Sequence, residues 1–218
     1  MEATGVYRAM LKEWIGPALR EQGFRGSGST WRLTSPRGDV AVINAQSSRS
    51  STKSGVSFVI NLAVVPQPWW AWLRHKYPQA IGKSAMQYDG LWWDRLSDQR
   101  SAHPRGIEQW WSLHDAASAE ACARDVIGRL RDEALPLLNT LLQRDHLKDA
   151  LRVGDIGFPK AVKPGGKADR GLALLLADDG GGPELEDLIQ GIRASAKRPT
   201  DRAERERFAA WLRTHAYG

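Results

Sequence analysis

The segment Val56–Val65 places the strongest constraint on what this chain can fold into. Its sequence, VSFVINLAVV, has a large apolar residue at every second position, and that spacing puts those side chains on one face of a β-strand. The other face carries Asn61 among small and apolar neighbours. Such a strand needs partner strands for its backbone hydrogen bonds and another layer over its apolar face. The segment therefore predicts a sheet with one covered face.

The residues before this strand supply a helix and two further strands. Val6–Gln22 has the apolar spacing of an amphipathic helix, and Gly23 follows as its stop. Thr30–Ser35 and Val40–Gln46 are rich in β-branched and aromatic residues, and residues 36–39 between them have turn chemistry. A helix followed by an antiparallel meander is the beginning of an α+β fold.

The residues after the strand extend the same architecture. Leu91–Leu96 and Gln109–His114 predict two more strands. Ser118–Leu142 predicts a long helix with Ser118 as its N-cap and a bend at Pro136. We therefore expect an α+β fold with an antiparallel sheet of about four to six strands, packed by the N-terminal helix and the long helix.

The C-terminal part of the chain differs in composition. His146–Gly171 contains a stretch rich in glycine, proline and lysine that is typical of a linker or an extended loop. Helical patterns follow at residues 172–177, 184–196 and 201–216. We expect residues 1–145 to form the α+β domain, and residues 146–218 to form a linker and a helical C-terminal module.

Composition excludes several classes of protein. The 218 residues are 42% hydrophobic and 26% charged, which is typical of globular chains and not of disordered or fibrous ones. One cysteine, Cys122, excludes an intrachain disulfide and fits a reducing compartment. The sequence begins without the apolar core of a signal peptide, and no apolar run approaches the roughly 20 residues of a membrane span. We therefore expect a soluble cytoplasmic protein with no membrane partner.

Short motifs follow one another along the chain in a particular order and spacing: Gly23-Phe24, Ile43-Asn44, Gln46, Ser48, Phe58, Asn61-Leu62, Trp110-Trp111 and Ala134-Leu135-Pro136. In this order they resemble the bacterial domain-of-unknown-function family numbered 4304. The resemblance covers about residues 6–142. It implies a bacterial origin and an α+β domain, and it supplies no activity, cofactor or catalytic residue.

Polar side chains within the predicted strands mark the face on which we expect a binding site. Asn44, Gln46 and Ser48 alternate onto one face of their strand, and Asn61 lies in the middle of the next strand. Amides in apolar strands are costly to bury unless they are hydrogen-bonded. These residues therefore form either a groove that binds a ligand or peptide, or an internal amide network that fixes strand register.

Tryptophans add to this expectation. The chain has 10 of them, several in adjacent pairs, and one member of each pair in a strand must point away from the other. We place Trp93 and Trp111 beside the amide face as contacts for a ligand or partner. The sequence thus predicts a non-enzymatic binding protein that recognises a small ligand, a protein partner or a second copy of itself.

Two other functions remain open from the sequence. The net charge of +6 and a pI of about 9.7 permit nucleic-acid binding, with Arg25, Arg49, Lys53 and Arg74 as contacts. An enzyme could assemble its site from distant residues, since catalytic groups are recognised in space and not by sequence order. The residues for such a site are Asp89, Asp94, His114 and Asp115. No nucleophile, phosphate-loop or metal-ligand motif is visible, so we assign no catalytic residue, no cofactor and no metal.

Overall fold

The computed structural model of the chain describes residues 2–96, 110–158 and 163–217. The strands are β1 (Arg25–Ser27), β2 (Thr30–Thr34), β3 (Val40–Ser47), β4 (Val56–Val65), β5 (Trp92–Leu96) and β6 (Trp111–Leu113). The helices are α1 (Ala3–Met10), α2 (Gly16–Glu21), α3 (Gln67–Lys76), α4 (Ala116–Arg129), α5 (Leu135–Leu141), α6 (Arg144–Arg152), α7 (Lys167–Asp178), α8 (Pro183–Ala194) and α9 (Pro199–Tyr217). Two π turns, Leu11–Ile15 and Leu130–Ala134, join α1 to α2 and α4 to α5, and a 3-10 turn covers Gln87–Asp89.

The strands form one open antiparallel sheet in the order β1-β2-β3-β4-β5. β3 pairs with most of β4, up to Ser47 opposite Phe58. β5 and β6 both pair with the other edge of β4, at residues 60–64 and 56–58 respectively. The two predicted strands are therefore consecutive pieces of one edge and do not lie side by side. The expected α+β fold is confirmed.

One face of this sheet packs on the N-terminal helix and the long helix. The even-numbered residues of β4 point to this side, and Phe58 stacks there on Trp111 with ring centroids 5.6 Å apart. Tyr7 of α1 packs against the same phenyl ring, and its hydroxyl donates to the Ala45 carbonyl at 3.1 Å. The apolar face of Val56–Val65 is thus covered by helices.

Each of these two helices contains a π turn just before a proline. Leu11–Ile15 precedes Pro17, and Leu130–Ala134 precedes Pro136. Proline has no N–H to donate to the carbonyl four residues earlier, so the regular hydrogen-bond pattern is interrupted at both places. At the position where the sequence predicts a bend, the structure has a widened turn before Pro136, and the helix then continues to Leu141.

The predicted start of the long helix is wrong by three residues. Asp115 is the N-cap, and its carboxylate accepts the Ser118 N–H at 2.8 Å. The Ser118 hydroxyl in turn accepts the Asp115 N–H at 3.0 Å. Ser118 therefore completes a reciprocal capping box from the third helical position and is not the cap itself.

The predicted linker, the stretch of residues 154–171 within His146–Gly171, is wrong at its end, because α7 begins at residue 167. α6, which the sequence patterns do not predict, ends at residue 152, before this stretch. Between the two helices, Gly157 forms a parallel bridge with Trp93, so this segment adds to the open edge of β5. A Cβ on Gly157 would lie 1.8 Å from the Trp93 carbonyl oxygen, so only glycine fits this approach. The division into two domains stays a prediction, although residues from both parts belong to one continuous core.

A buried ionic group links three parts of the fold. The Arg144 guanidinium, at the start of α6, donates to both carboxylate oxygens of Asp39 at 2.8 and 2.9 Å and also to Asp178 at the end of α7. Asp39 lies between β2 and β3, and it also accepts the Gln67 N–H of α3 at 2.8 Å. Burial alone would lower the pKa of Arg144, but the bonds to the two aspartates outweigh it and raise that pKa.

Candidate functional site

A row of amide side chains crosses the face of the sheet opposite the N-terminal helix. Asn44 and Asn61 are direct cross-strand partners, and Gln46 lies two residues along β3 on the same face. The Asn61 side-chain nitrogen donates to Gln46 Oε1 at 2.8 Å and to Asn44 Oδ1 at 3.2 Å. Asn44 donates onward to the Thr30 hydroxyl at 2.8 Å. Strand register has therefore joined three of the predicted site residues.

Arg95 of β5 fixes the direction of the hydrogen bonds along this row. Its Nε donates to Asn61 Oδ1 at 2.9 Å, and its guanidinium lies over the Trp93 ring, 5.0 Å from the centroid. A guanidinium can only donate hydrogen bonds, so Asn61 Oδ1 must accept and its nitrogen must donate. Asn61 is 1% exposed and satisfied on both sides, whereas Gln46 at the end of the row is exposed. The structure therefore contains the internal amide network, which is one of the two interpretations of these residues given above.

The same row forms the wall of a cavity of about 410 Å³. Its remaining walls come from far along the chain: the 3-10 turn, the segment bridged to β5, and the start of α7. A Cβ on Gly90 would lie 2.6 Å from the Trp92 carbonyl and 2.8 Å from Ala63 Cβ, so glycine allows the turn to lie close against the sheet. The lining residues are Gln46, Asn61, Gln87, Tyr88, Gly90, Trp93, Phe158 and Lys167.

Two polar side chains in the lining have groups without described partners. Lys167 is the first residue of α7, and within the described ranges its side chain has no hydrogen bond or ion pair. Burial lowers the pKa of the Lys167 ammonium, because desolvation disfavours its charged form. Gln87 Oε1 is buried and has no hydrogen-bond partner among the described residues. Among the lining residues that the structure describes none is acidic, so the cavity presents one cation, amides and aromatic rings.

Aromatic side chains surround the mouth of the cavity. Trp93 packs on Phe158 with ring centroids 5.8 Å apart and planes tilted by 46°. Tyr88 is 72% exposed and Phe158 is 60% exposed. Large aromatic side chains that remain exposed beside a polar cavity are typical of ligand and partner contacts.

Three predicted site residues do not line this cavity: Asn44, which lies behind Asn61 in the amide row, Trp111 and Ser48. Trp111 is fully buried on the opposite face of the sheet, where its indole N–H donates to Asp125 at 2.7 Å. It differs from Trp93 because Trp111 lies opposite Phe58 while Trp93 lies opposite Ala63, and these two β4 positions face opposite sides. Ser48 lies just beyond β3, where its hydroxyl contacts that of Ser50 at 2.7 Å. The expectation that Trp111 and Ser48 lie beside the other site residues is therefore wrong.

Five of the eight lining residues are not predicted from the sequence. They lie in segments whose local pattern indicates only irregular structure or a linker: Gln87, Tyr88, Gly90, Phe158 and Lys167. No short motif connects them to the strand amides, which precede them by dozens of residues. Only the bridge between Gly157 and Trp93 shows that the later segment reaches this face.

The basic residues considered for nucleic-acid binding lie in separate places. Arg25 is on β1 at one edge of the sheet, and Arg49 and Lys53 are in the loop between β3 and β4. Arg74 is on α3, which follows the opposite end of β4, and its guanidinium lies over the Trp70 ring. These four residues do not form one continuous basic surface of the kind that binds a phosphate backbone.

The residues considered for an assembled catalytic site are also apart. Asp89 precedes the part of β5 that lies opposite Val64, whereas His114 and Asp115 follow the part of β6 that lies opposite Val56. Eight residues of strand separate these two points on β4, which is roughly 26 Å. Asp94 lies between them and points away from the amide row. This set therefore cannot act on a single substrate atom.

The described residues hold neither a metal site nor a helix that could span a membrane. No group of three or more histidine, cysteine, aspartate or glutamate side chains there is arranged to hold a metal ion. In the same ranges, no helix has both the length and the apolar composition of a membrane span.

Comparison with known proteins identifies the family of this chain. The model of a family described as a domain of unknown function (DUF4304) matches residues 15–140, which is more than half of the chain. The match begins after α1, covers α2, the sheet and almost all of the long helix, and ends before α6 and α7. No curated protein and no solved structure matches the sequence.

Proposed function

Because the chain belongs to the DUF4304 family, whose description assigns no chemistry, we propose from its own geometry that it is a binding protein for a small anionic ligand with a planar group. The ligand occupies the cavity of about 410 Å³ on the amide face of the sheet. The observation that carries the proposal is Lys167, a cation without a described ion-pair partner in a cavity whose described lining contains no acid.

Each part of the lining has a chemical role in this proposal. The Lys167 ammonium takes the carboxylate or phosphate of the ligand, since a charge-assisted hydrogen bond is stronger than a neutral one. Trp93 and Phe158 pack on the planar group. Gln87 Oε1, which lacks a partner, accepts a hydrogen bond from a ligand donor. Arg95 and Asn61 act indirectly, because their mutual hydrogen bond holds the Trp93 face and the amide wall in place.

The cellular setting is part of the same proposal. We place the protein in a bacterial cytoplasm, supported by the family resemblance and by a sequence whose single cysteine excludes an intrachain disulfide. A ligand-binding role is favoured over catalysis, since amide side chains cannot exchange protons in acid–base steps. It is favoured over nucleic-acid binding because Arg25, Arg49 and Arg74 lie on separate surfaces.

The test compares two probes that differ in charge. We expect benzoate to bind more tightly than benzamide, as measured by calorimetry and by shifts of side-chain amide signals in NMR spectra. Lys167→Gln should weaken benzoate binding by about tenfold or more while leaving benzamide unchanged. Lys197→Gln removes an exposed lysine from the loop between α8 and α9, and this matched control should bind benzoate like the parent protein.

The pH dependence gives a second readout. Because burial lowers the pKa of Lys167 from its ordinary 10.5, the lysine loses its proton earlier than a solvated lysine on raising the pH. Benzoate affinity should therefore fall as the pH rises through this lowered pKa. Equal binding of the two probes, or equal effects of the two lysine substitutions, would refute the proposed site.

A further inference from the structure

A second cavity lies on the other side of the molecule, between the N-terminal helix and the β1–β2 hairpin. Its volume is about 320 Å³. Leu11 and Trp31 form its apolar part, and Ser27 and Gly28 of the hairpin close one side. The cavity borders the π turn that joins α1 to α2, and such turns often occur at functional sites.

The indole N–H of Trp31 is unsatisfied beside this cavity. Trp31 is 1% exposed, and its Nε1 has no hydrogen-bond partner in the part of the chain that the structure describes. An indole N–H can only donate, and leaving it buried without an acceptor costs about 1–3 kcal/mol. A Cβ on residue 16 would lie 3.0 Å from the Leu11 carbonyl oxygen, 3.2 Å from Arg20 Nη1 and 3.6 Å from Trp31 Nε1. Because residue 16 is glycine, two donors and one backbone carbonyl border a small space there.

The charges around this space have one sign. Arg8, Lys12 and Arg20 line the cavity, and no acidic residue is among its described lining. Within the described ranges these three cations have no side-chain hydrogen bond or ion pair. The nearby Leu11 carbonyl accepts the Gly16 N–H across the π turn, and within the described ranges it receives no hydrogen bond from the Trp31 indole.

We propose that this cavity, hereafter the N-terminal cavity, binds a small organic anion whose apolar part packs on Leu11 and Trp31. One anionic oxygen accepts the Trp31 indole N–H and a hydrogen bond from Arg20, while Arg8 and Lys12 supply further positive charge. A phosphate monoester and a carboxylate share this chemistry. The N-terminal cavity is independent of the amide-face cavity, because Trp31 pairs with Ile43 on the helix-covered face of the sheet.

The experiment follows the indole N–H signal of Trp31 by NMR, identified by its loss in Trp31→Phe. Phenyl phosphate, phenylacetate and inorganic phosphate are titrated separately into the full chain. We expect saturable shifts of this signal with phenyl phosphate or phenylacetate, and the stronger of the two identifies the anionic group. Inorganic phosphate, which lacks an apolar part, should bind at least tenfold more weakly than the better organic probe.

Variants test the assignment of the donors. Arg20→Gln should weaken binding of the better probe by tenfold or more, since it removes a charge-assisted hydrogen bond. The matched control Arg202→Gln changes an exposed arginine of α9 and should have no effect. Lys167→Gln should also leave the Trp31 signal and its titration unchanged, which separates this test from that of the amide-face cavity.

Three results would overturn the proposal. The Trp31 signal could stay unmoved while the probes bind elsewhere, inorganic phosphate could bind as tightly as the organic probes, or Arg20→Gln and Arg202→Gln could behave alike. If Trp31→Phe does not fold, the signal is assigned instead by its contact with Gly16 in a nuclear Overhauser spectrum. The exposed Arg20 substitution then decides the question.

Discussion

The buried ion group around Arg144 gives the sharpest expectation about stability. The guanidinium is 6% exposed and makes three hydrogen bonds to Asp39 and Asp178, the two to Asp39 at 2.8 and 2.9 Å. Replacing it by methionine keeps an apolar side chain of similar length but leaves the Asp39 carboxylate with one described donor, the Gln67 N–H. Removing one partner from a buried pair in this way costs about 3–5 kcal/mol.

That loss is a large share of the stability of a typical domain, which is about 5–15 kcal/mol. For a chain of this length, each kcal/mol shifts the melting temperature by about 2–4 °C. We therefore expect Arg144→Met to lower the melting temperature by on the order of 10 °C, with a matching decrease of the urea midpoint. Circular dichroism at increasing temperature and urea concentration measures both.

A matched control and a rescue separate the ion group from general damage. Arg37 also contacts Asp178, but its side chain is 52% exposed, so Arg37→Met should cost at most about 1 kcal/mol. Adding Asp39→Leu to Arg144→Met removes the stranded carboxylate, and this double variant should regain much of the lost stability. Equal effects of the two arginine substitutions would refute the reasoning, as would a double variant no more stable than Arg144→Met.

Two further expectations concern the C-terminal helices. Glu204 is held by Arg170 through bonds of 2.6 and 2.7 Å, which lower its pKa to about 2. The resulting stability is present above pH 4.5 and is lost as the pH falls towards 2, so Glu204→Gln should cost about 1–3 kcal/mol at pH 7 and flatten this acid dependence in urea titrations. A Cβ on Gly171 would lie 2.3 Å from a Leu91 methyl carbon, so Gly171→Ala should destabilise by about 1–3 kcal/mol. Gly191→Ala meets nothing within 4 Å and should stabilise by about 0.5–1 kcal/mol, and thermal melts in which both variants shift in the same direction would contradict this account.

The amide face shows how far a local pattern reaches. Alternation in two strands was enough to place Asn44, Gln46 and Asn61 on one face, because successive side chains of a strand point to opposite sides. Their hydrogen bonds to each other depend on register, which brings Asn61 opposite Asn44. Register is fixed by packing of the whole sheet on its core, so it was not contained in either strand alone.

The two tryptophans show where a local pattern fails. Trp93 and Trp111 are each the second residue of an adjacent pair in a predicted strand, and this pattern predicts that both lie beside the amides. In the fold one borders the cavity and the other is buried against Phe58. β5 and β6 share one edge of β4 but meet it at positions of opposite parity, and only the pairing of both with β4 decides which face each tryptophan occupies.

The sequence by itself determined the central strands β2, β3 and β4, the apolar face of β4 and the amphipathic N-terminal and long helices, because these follow from periods of two and 3.6 residues within short segments. Tertiary structure decided the rest. It brought Lys167 and Phe158 to the amide row, placed the Trp31 indole beside Gly16 and Arg20, and paired Arg144 with Asp39 across 105 positions of the chain. The physical reason is that contacts between distant segments are selected by the free energy of burying one common core, which no local pattern contains.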